Sequence, residues 1–240
     1  MAGKESTLDV RREKEISSTF QAIPFLSCLS DEERVEIRKH LIIRDHRRHD
    51  IILYAEDSST YLYIILSGRV KVIQTSNDGK EHILAIRKKG DFFGEMGLLD
   101  GKTSPATVLA LEDSRVCLIS REVFSTRLLT NPKVIDIIIS LLCSRLRDAW
   151  LKIQVLSFAD AEQRLRAVLR DLSHQFGIPD SRGVMISLHI THQDMAYLSS
   201  TSRETVTRFL NKAASSGEIE ILADKNILLK NTFLKEIDAL

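Results

Sequence analysis

Cysteine is scarce in this chain: Cys28, Cys117 and Cys143 are the only three among 240 residues. They stand too far apart for a C-x-x-C pair or a disulfide framework, so reduced and mostly buried thiols are expected. Long apolar runs are missing as well, and the opening Met-Ala-Gly-Lys-Glu-Ser lacks a signal-peptide pattern. A cytoplasmic protein without a membrane partner is therefore expected. The net charge of only +1, from 34 basic and 33 acidic side chains, points to no partner by itself. From Ser157 onward ten basic side chains face eleven acidic ones, so that part lacks the positive surplus usual in nucleic-acid binders. Metal chemistry has little support. His40, His46 and His49 share a charged run without the cysteine or carboxylate spacing of a zinc site, and read as solvated surface. His82, His174, His189 and His192 are isolated. No Ser/His/Asp arrangement, Walker loop or dinucleotide fingerprint occurs, so no catalytic residue, metal site or cofactor is identified.

What the chain does contain is ordinary for a globular protein, at 43% hydrophobic and 28% charged residues. Its length suits one large domain or two modest ones. Residues 1–20 are charged and aperiodic and read as a tail with at most a short helix. Ser30-Asp-Glu-Glu is a capping box ahead of Val35, Ile37 and Leu41, and predicts a helix of about two to three turns. From Ile42 to about Ser120 short β-rich runs take over, at 51–54, 61–66, 70–73, 82–86 and 116–119. Gly68, Gly79, Gly90 and Gly101 recur every 11 residues at the breaks, and Asn77-Asp78-Gly79 is a hairpin turn. This spacing predicts a closed or rolled antiparallel sheet. Within it, Gly94-Glu95-Met96-Gly97 can wrap a ligand, because amides at such a turn or helix start hold phosphates. A β-roll corner that needs small residues for steric reasons explains the same pattern.

Asn131-Pro132 opens the longest predicted helix, which runs to about residue 157, proline being tolerated in a first turn. Ile135, Ile139, Leu142, Leu146, Ala149, Ile153 and Leu156 alternate at spacings of four and three, a seam that pairs helices side by side. Ile137, Ile138 and Leu141 supply a second apolar side. One face is therefore assigned to the β-roll and the other to a partner subunit, making a homodimer.

Asp160-Ala-Glu-Gln163 starts the next helix, with Leu165, Val168, Leu169, Leu172 and Phe176 inward and Gly177-Ile-Pro179 as its stop. A short strand, 184–188, follows. Leu188 to Leu210 then reads as two short helices. Thr191 caps the first, with Asp194 three residues on, and Ser199-Ser200-Thr201-Ser202 breaks it. In the second, Val206, Phe209 and Leu210 face inward, while Arg203, Glu204, Thr205 and Arg208 face out. Such a helix-turn-helix can present arginine to guanine and glutamate to the cytosine amino group in a major groove. An ordinary helical hairpin with a solvated charged face fits the spacing equally. Glu218–Leu222, a turn at Asp224-Lys-Asn226 and Ile227–Lys230 add a hairpin wing.

Ile190-Thr-His-Gln-Asp-Met-Ala followed by Thr201-Ser-Arg-Glu-Thr-Val-Thr-Arg-Phe-Leu resembles the helix-turn-helix signature of the bacterial cyclic-AMP receptor protein/FNR (Crp/Fnr) family. The stretch from Asp91 to Val108 resembles the phosphate-binding cassette of cyclic-nucleotide-binding domains. The resemblance to the family covers roughly residues 21–232, with all parts in the family's order. The resemblance implies an α+β chain: a tail at 1–20, a cyclic-nucleotide-binding-like β-roll sensor at 21–130, a dimerisation helix at 131–157 and a winged helix-turn-helix at 158–240. It implies a dimeric, sequence-specific transcription regulator rather than an enzyme, with double-stranded DNA, a second copy of the chain and RNA polymerase as partners. Arg203, Glu204 and Arg208 match the family's base readers for a TGTGA-like inverted repeat. Thr191, His192, Ser202 and Thr205 are carried over as phosphate contacts. Where the family often has arginine and glycine, this chain has His192 and Ser200.

By the same resemblance an effector pocket would comprise Gly94, Glu95, Met96, Ser104 and Trp150. Glu95 matches the glutamate that binds a ribose hydroxyl. The arginine that neutralises the cyclic phosphate falls at Ser104, with Pro105 beside it, and the Thr-Ser pair that meets the base falls on Ala149 and Trp150. Glu95 alone would then bring a negative charge near a negative ligand, so cyclic AMP is not the expected effector. A different effector or none is expected. The family's iron–sulfur branch uses a cysteine cluster, whereas Cys28 stands alone, and no haem ligand can be placed. A nucleotide-binding module without a DNA role and a haem or redox sensor remain the alternatives.

Overall fold

The computed structural model describes residues 23–58, 60–158 and 160–237, so the expected tail lies outside the described residues. The chain divides into two compact units between Arg145 and Leu146. The first opens with α1 (Pro24–Ser27), which the sequence patterns did not announce, and α2 (Asp31–Arg38). The capping box of α2 forms as expected: Ser30 Oγ accepts from the Glu33 amide at 3.2 Å, and Glu33 Oε2 accepts from the Ser30 amide at 2.7 Å.

Two four-stranded antiparallel sheets follow. One has the order β1 (Ile42–His46), β8 (Ser114–Ser120), β3 (Tyr61–Ser67), β6 (Phe92–Phe93). The other runs β2 (Ile51–Leu53), β7 (Thr107–Ala110), β4 (Arg69–Thr75), β5 (Glu81–Lys88). Strand side chains alternate between faces, and here each face of β3 and β8 has a core of its own. Leu62, Ile64, Leu66, Cys117 and Ile119 pack with Phe25, Leu26 and Phe92. Tyr63, Ile65, Val116 and Leu118 pack with Leu53, Val70 and Phe93 on the other side. That double burial is why β3 reads as a continuous apolar run rather than an alternating one. The Asn77-Asp78-Gly79 turn joins β4 to β5, with Gly79 at φ +80°.

Between β6 and β7 lies α3 (Glu95–Asp100). After β8 the chain makes α4 (Arg121–Val123) and a single π-helical turn, Phe124–Leu128, whose Phe124 and Leu128 are buried in the first core. Then comes α5 (Pro132–Phe158), the predicted long helix, with Asn131 Oδ1 accepting from the Lys133 amide at 3.1 Å at its start.

The second unit holds α6 (Ala161–Phe176), whose capping box joins Asp160 and Gln163 as expected. Gly177-Ile-Pro179 does end this helix, but it is not a mere stop. Residues Gly177–Asp180 form β9, an edge strand paired with β10 (Gly183–Ile186). Pro179 is tolerated there because an edge strand leaves one side without ladder bonds. Helices α7 (His192–Ser199) and α8 (Arg203–Ser215) follow, then β11 (Ile219–Ile221) and β12 (Ile227–Lys230). The wing hairpin thus belongs to a four-stranded sheet ordered β11-β12-β10-β9. A last helix, α9 (Asn231–Ile237), was not foreseen. No described helix is long and apolar enough to cross a membrane.

Candidate nucleic-acid interface and effector pocket

Helix α7 starts on a tight cap. Thr191 Oγ1 accepts from the Asp194 amide at 3.0 Å and donates its own proton to Asp194 Oδ2 at 2.6 Å. The hydroxyl is thereby engaged in the cap, while Thr191 itself is exposed. The helix ends at Ser200 in the left-handed region, φ +50° and ψ +48°. A non-glycine residue there costs about 1–2 kcal/mol, which glycine would avoid. Ser202 then caps α8, its Oγ accepting from the Thr205 amide at 3.1 Å and lying 3.1 Å from Thr205 Oγ1. Two expected phosphate contacts therefore sit together at one helix start.

Helix α8 has two faces. Val206, Phe209, Leu210 and Ala213 are buried. Arg203, Glu204 and Arg208 are exposed and, with Thr207 and Asn211, line one open concavity. The three expected base readers are thus brought together. Thr207 and Asn211 were missed, although their spacing of four and eight residues from Arg203 puts them on that face. Bonding to its own backbone amide, then to the Ser202 hydroxyl, holds the Glu204 carboxyl below its usual pKa. It is an ionised acceptor at neutral pH. His192, expected at a phosphate, has Nδ1 2.9 Å from Thr207 Oγ1. Since Thr207 donates its one proton to the Arg203 carbonyl at 3.0 Å, His192 Nδ1 is the donor in that pair.

In the β-roll unit, Gly94 takes φ +82° ahead of α3, and a Cβ there would sit 2.9 Å from both the Tyr61 carbonyl and the Tyr63 ring. Glycine is required at that corner. Glu95 is buried. It does not stand alone: Arg145, from α5, places Nη1 2.6 Å from Glu95 Oε1. Arg145 also donates Nη2 to the Phe92 carbonyl at 2.8 Å and lies 4.4 Å over the Phe92 ring. Ser104 is buried too, and its hydroxyl donates to the Ala106 carbonyl at 2.8 Å. Met96 is half exposed. Trp150, expected to line the same pocket, belongs to the second unit and is largely exposed.

Along α5, Val134 and Ile138 are buried in the first core, with Ile137, Leu141 and Leu142 packed against it. Leu142, expected in the partner-facing seam, is half-buried and packs in part against the chain's own core, and Ile135 and Leu156 are only part-exposed. Ile139, Leu146, Trp150 and Ile153 are each at least half exposed, and Cys143 and Ala149 are exposed as well. Ile139, Cys143, Leu146, Trp150 and Ile153 share one exposed stripe, with the exposed Leu151 beside it.

Other expected features also find their place. Of the three histidines expected at the surface, His40 and His49 are exposed and His46 is half-buried, where burial, ahead of the opposing effect of Asp50, lowers its pKa. Burial pushes the Cys117 thiol up to about 12, leaving it inert. No group of three or more His, Cys, Asp or Glu suited to a metal occurs among the described residues.

Comparison with known proteins bears on both units. Residues 43–131 match the family described as cyclic nucleotide-binding domain, and residues 163–233 match the Crp-like helix-turn-helix domain. The chain is 35% identical over 170 residues to the cyclic AMP receptor protein of Thermus thermophilus, covering 71% of this chain and 76% of that one. It is 30% identical over 183 residues to the global nitrogen regulator of Synechococcus elongatus, covering 75% and 82%. Among solved structures, the c-di-GMP responsive global regulator CLP of Xanthomonas campestris matches with a TM-score of 0.71 at 26% identity, covering 84% of this chain and all of that one. With its β-roll and its capped, two-faced helix pair, the chain belongs to the Crp/Fnr family of transcription regulators, is not an enzyme, and carries that family's helix-turn-helix DNA-binding domain.

Proposed function

We propose that this regulator acts as a homodimer that reads an inverted repeat with TGTGA-like half-sites through Arg203, Glu204 and Arg208. The observation that carries the reading is the single exposed face on which these three side chains meet. The buried opposite face of α8 fixes it to the domain, so the polar face is what a duplex can meet. Two-fold symmetry would set the half-site centres about one helical turn apart, roughly 34–36 Å. RNA polymerase is the further partner on this reading. Arg203→Ala is expected to cost about 1–3 kcal/mol on the matching duplex and to flatten discrimination at its guanine. Binding at fixed salt to matching and scrambled duplexes checks this; an unchanged preference would remove Arg203 from the base readers.

The effector on this reading is a molecule other than cyclic AMP, or there is none. A cyclic phosphate in a closed pocket needs a cationic partner, and charge-assisted contacts are the strong ones. Ser104 offers no charge and its hydroxyl is occupied, while Pro105 has no amide to give. Arg145 is engaged with Glu95 and the Phe92 carbonyl. Nor does the fold fix the ligand, since relatives' names carry both cyclic AMP and c-di-GMP. Calorimetric titration with cyclic AMP should show no micromolar binding. Micromolar affinity that disappears in Glu95→Ala would overturn the proposal.

A further inference from the structure

Apolar packing sets how deeply α8 sits and which face it buries, but it is non-directional and fixes small rotations about the helix axis weakly. Directional contacts must do that. Toward the C-terminal half of α8 they form one chain of alternating charge. Lys212 Nζ lies 2.8 Å from Glu162 Oε2, and Glu162 Oε1 lies 3.2 Å from Arg166 Nη2. Arg166 Nη1 lies 2.7 Å from Glu218 Oε2 as a close ion pair without hydrogen-bond geometry, and Glu218 Oε1 accepts from the Ser216 hydroxyl at 2.7 Å. The side chains become less exposed inward, from 66% at Lys212 and 38% at Glu162 to 12% at Arg166 and 17% at Glu218.

Arg166 is the hub of this chain. Its guanidinium carbon also lies 5.7 Å from the Phe209 ring centroid of α8 and 5.1 Å from that of Phe233 in α9. Glu218, just beyond α8, donates its amide to the Ala213 carbonyl at 2.9 Å and accepts from the Lys230 amide of β12 at 3.0 Å. One side chain of α6 therefore touches the reading helix, the segment leading into the wing and the last helix. Burial works against its charge, yet the bonds to Glu218 and Glu162 outweigh that and raise its pKa.

We infer that Arg166 is a positioning residue for sequence reading: by bridging Glu162 and Glu218 it sets the rotation of α8, and with it the aim of Arg203, Glu204 and Arg208. The inference rests on the base-reading assignment above. Recognition contacts must be held within about 0.5 Å and 10–20° of productive geometry, so a small rotation is enough to misaim an arginine fork. Sequence-independent phosphate attraction tolerates the same rotation, because it depends on charge rather than register.

Two variants test this. Arg166→Met keeps an apolar stem against Phe209 and Phe233 but strands Glu218. Arg166→Met/Glu218→Leu removes both charges, so a folding defect caused by the stranded carboxylate is relieved. Affinities for a duplex selected by the native protein and for a scrambled duplex are measured at fixed salt, alongside thermal unfolding. The selected-to-scrambled ratio is expected to fall about tenfold in the double variant, with scrambled affinity changed less than about twofold and the unfolding midpoint close to native. A double variant with the native ratio overturns the inference. So does one that unfolds, or weakens on both duplexes in proportion, since Arg166 would then be structural only. Arg203→Ala in the same assay separates the two readings. If it loses discrimination while the Arg166 variants keep theirs, only the positioning role fails. If it keeps discrimination, the base-reading assignment fails and takes this inference with it.

Discussion

Leu146→Asp is expected to turn the regulator into a folded monomer that binds its DNA site at least about 100-fold more weakly, since every 1.4 kcal/mol is a factor of ten. Leu146 is half exposed on α5, in the stripe formed by Ile139, Cys143, Trp150 and Ile153. Half exposed within one chain, a carboxylate at that position can reach water. In the proposed dimer the same position is buried against the partner helix, once from each subunit. An unpaired buried charge destabilises by about 3–5 kcal/mol, enough to separate two subunits held at micromolar strength. A monomer reaches one half-site only and forfeits the second set of contacts. Leu142→Asp would be a poorer probe, because Leu142 packs on its own core and the charge would unfold the chain as well. Sedimentation and DNA titration check the outcome. A native monomer, or a Leu146→Asp dimer with native affinity, would place the subunit contact elsewhere.

The choice between Leu142 and Leu146 shows what the sequence can and cannot say. A heptad seam through 139, 142, 146, 149, 153 and one through 139, 143, 146, 150, 153 share every second member. Periodicity alone does not choose between them. The decision comes from Phe25, Leu26, Phe124 and Leu128, distant in sequence, whose cluster claims Leu142. Local features were legible for the opposite reason. The caps at Ser30, Asp160 and Thr191 each close within four residues, so their residue types announce them. The exposed face of α8 follows in the same way from its own period. Gly177-Ile-Pro179 was half legible: it does stop α6, but its pairing with β10 depends on a partner strand that no local pattern names. Arg145 was not legible at all. It lies 50 residues from Glu95, and nothing in its own stretch sets it apart from a solvated charge on an amphipathic helix.

That pair is where the largest loss of stability from one substitution is expected. Arg145→Ala leaves the Glu95 carboxylate, whose side chain is 6% exposed, without its countercharge. Breaking a buried pair in this way destabilises by about 3–5 kcal/mol, chiefly through the stranded charge. The reverse substitution should be milder. In Glu95→Gln the guanidinium keeps 24% exposure, the Phe92 carbonyl and the face of the Phe92 ring. Arg145→Ala/Glu95→Gln should recover much of the loss, because no charge is then stranded. The two substitutions are thus expected to be far from additive, as for any groups in direct contact. Urea unfolding at neutral pH, at matched protein concentration, gives all four corners of the cycle. A loss below about 1 kcal/mol for Arg145→Ala would reduce the pair to the strength of a surface ion pair. It would also free Arg145 to serve an incoming anion, and the argument against a phosphate ligand in the β-roll would have to rest on Ser104 and Pro105 alone.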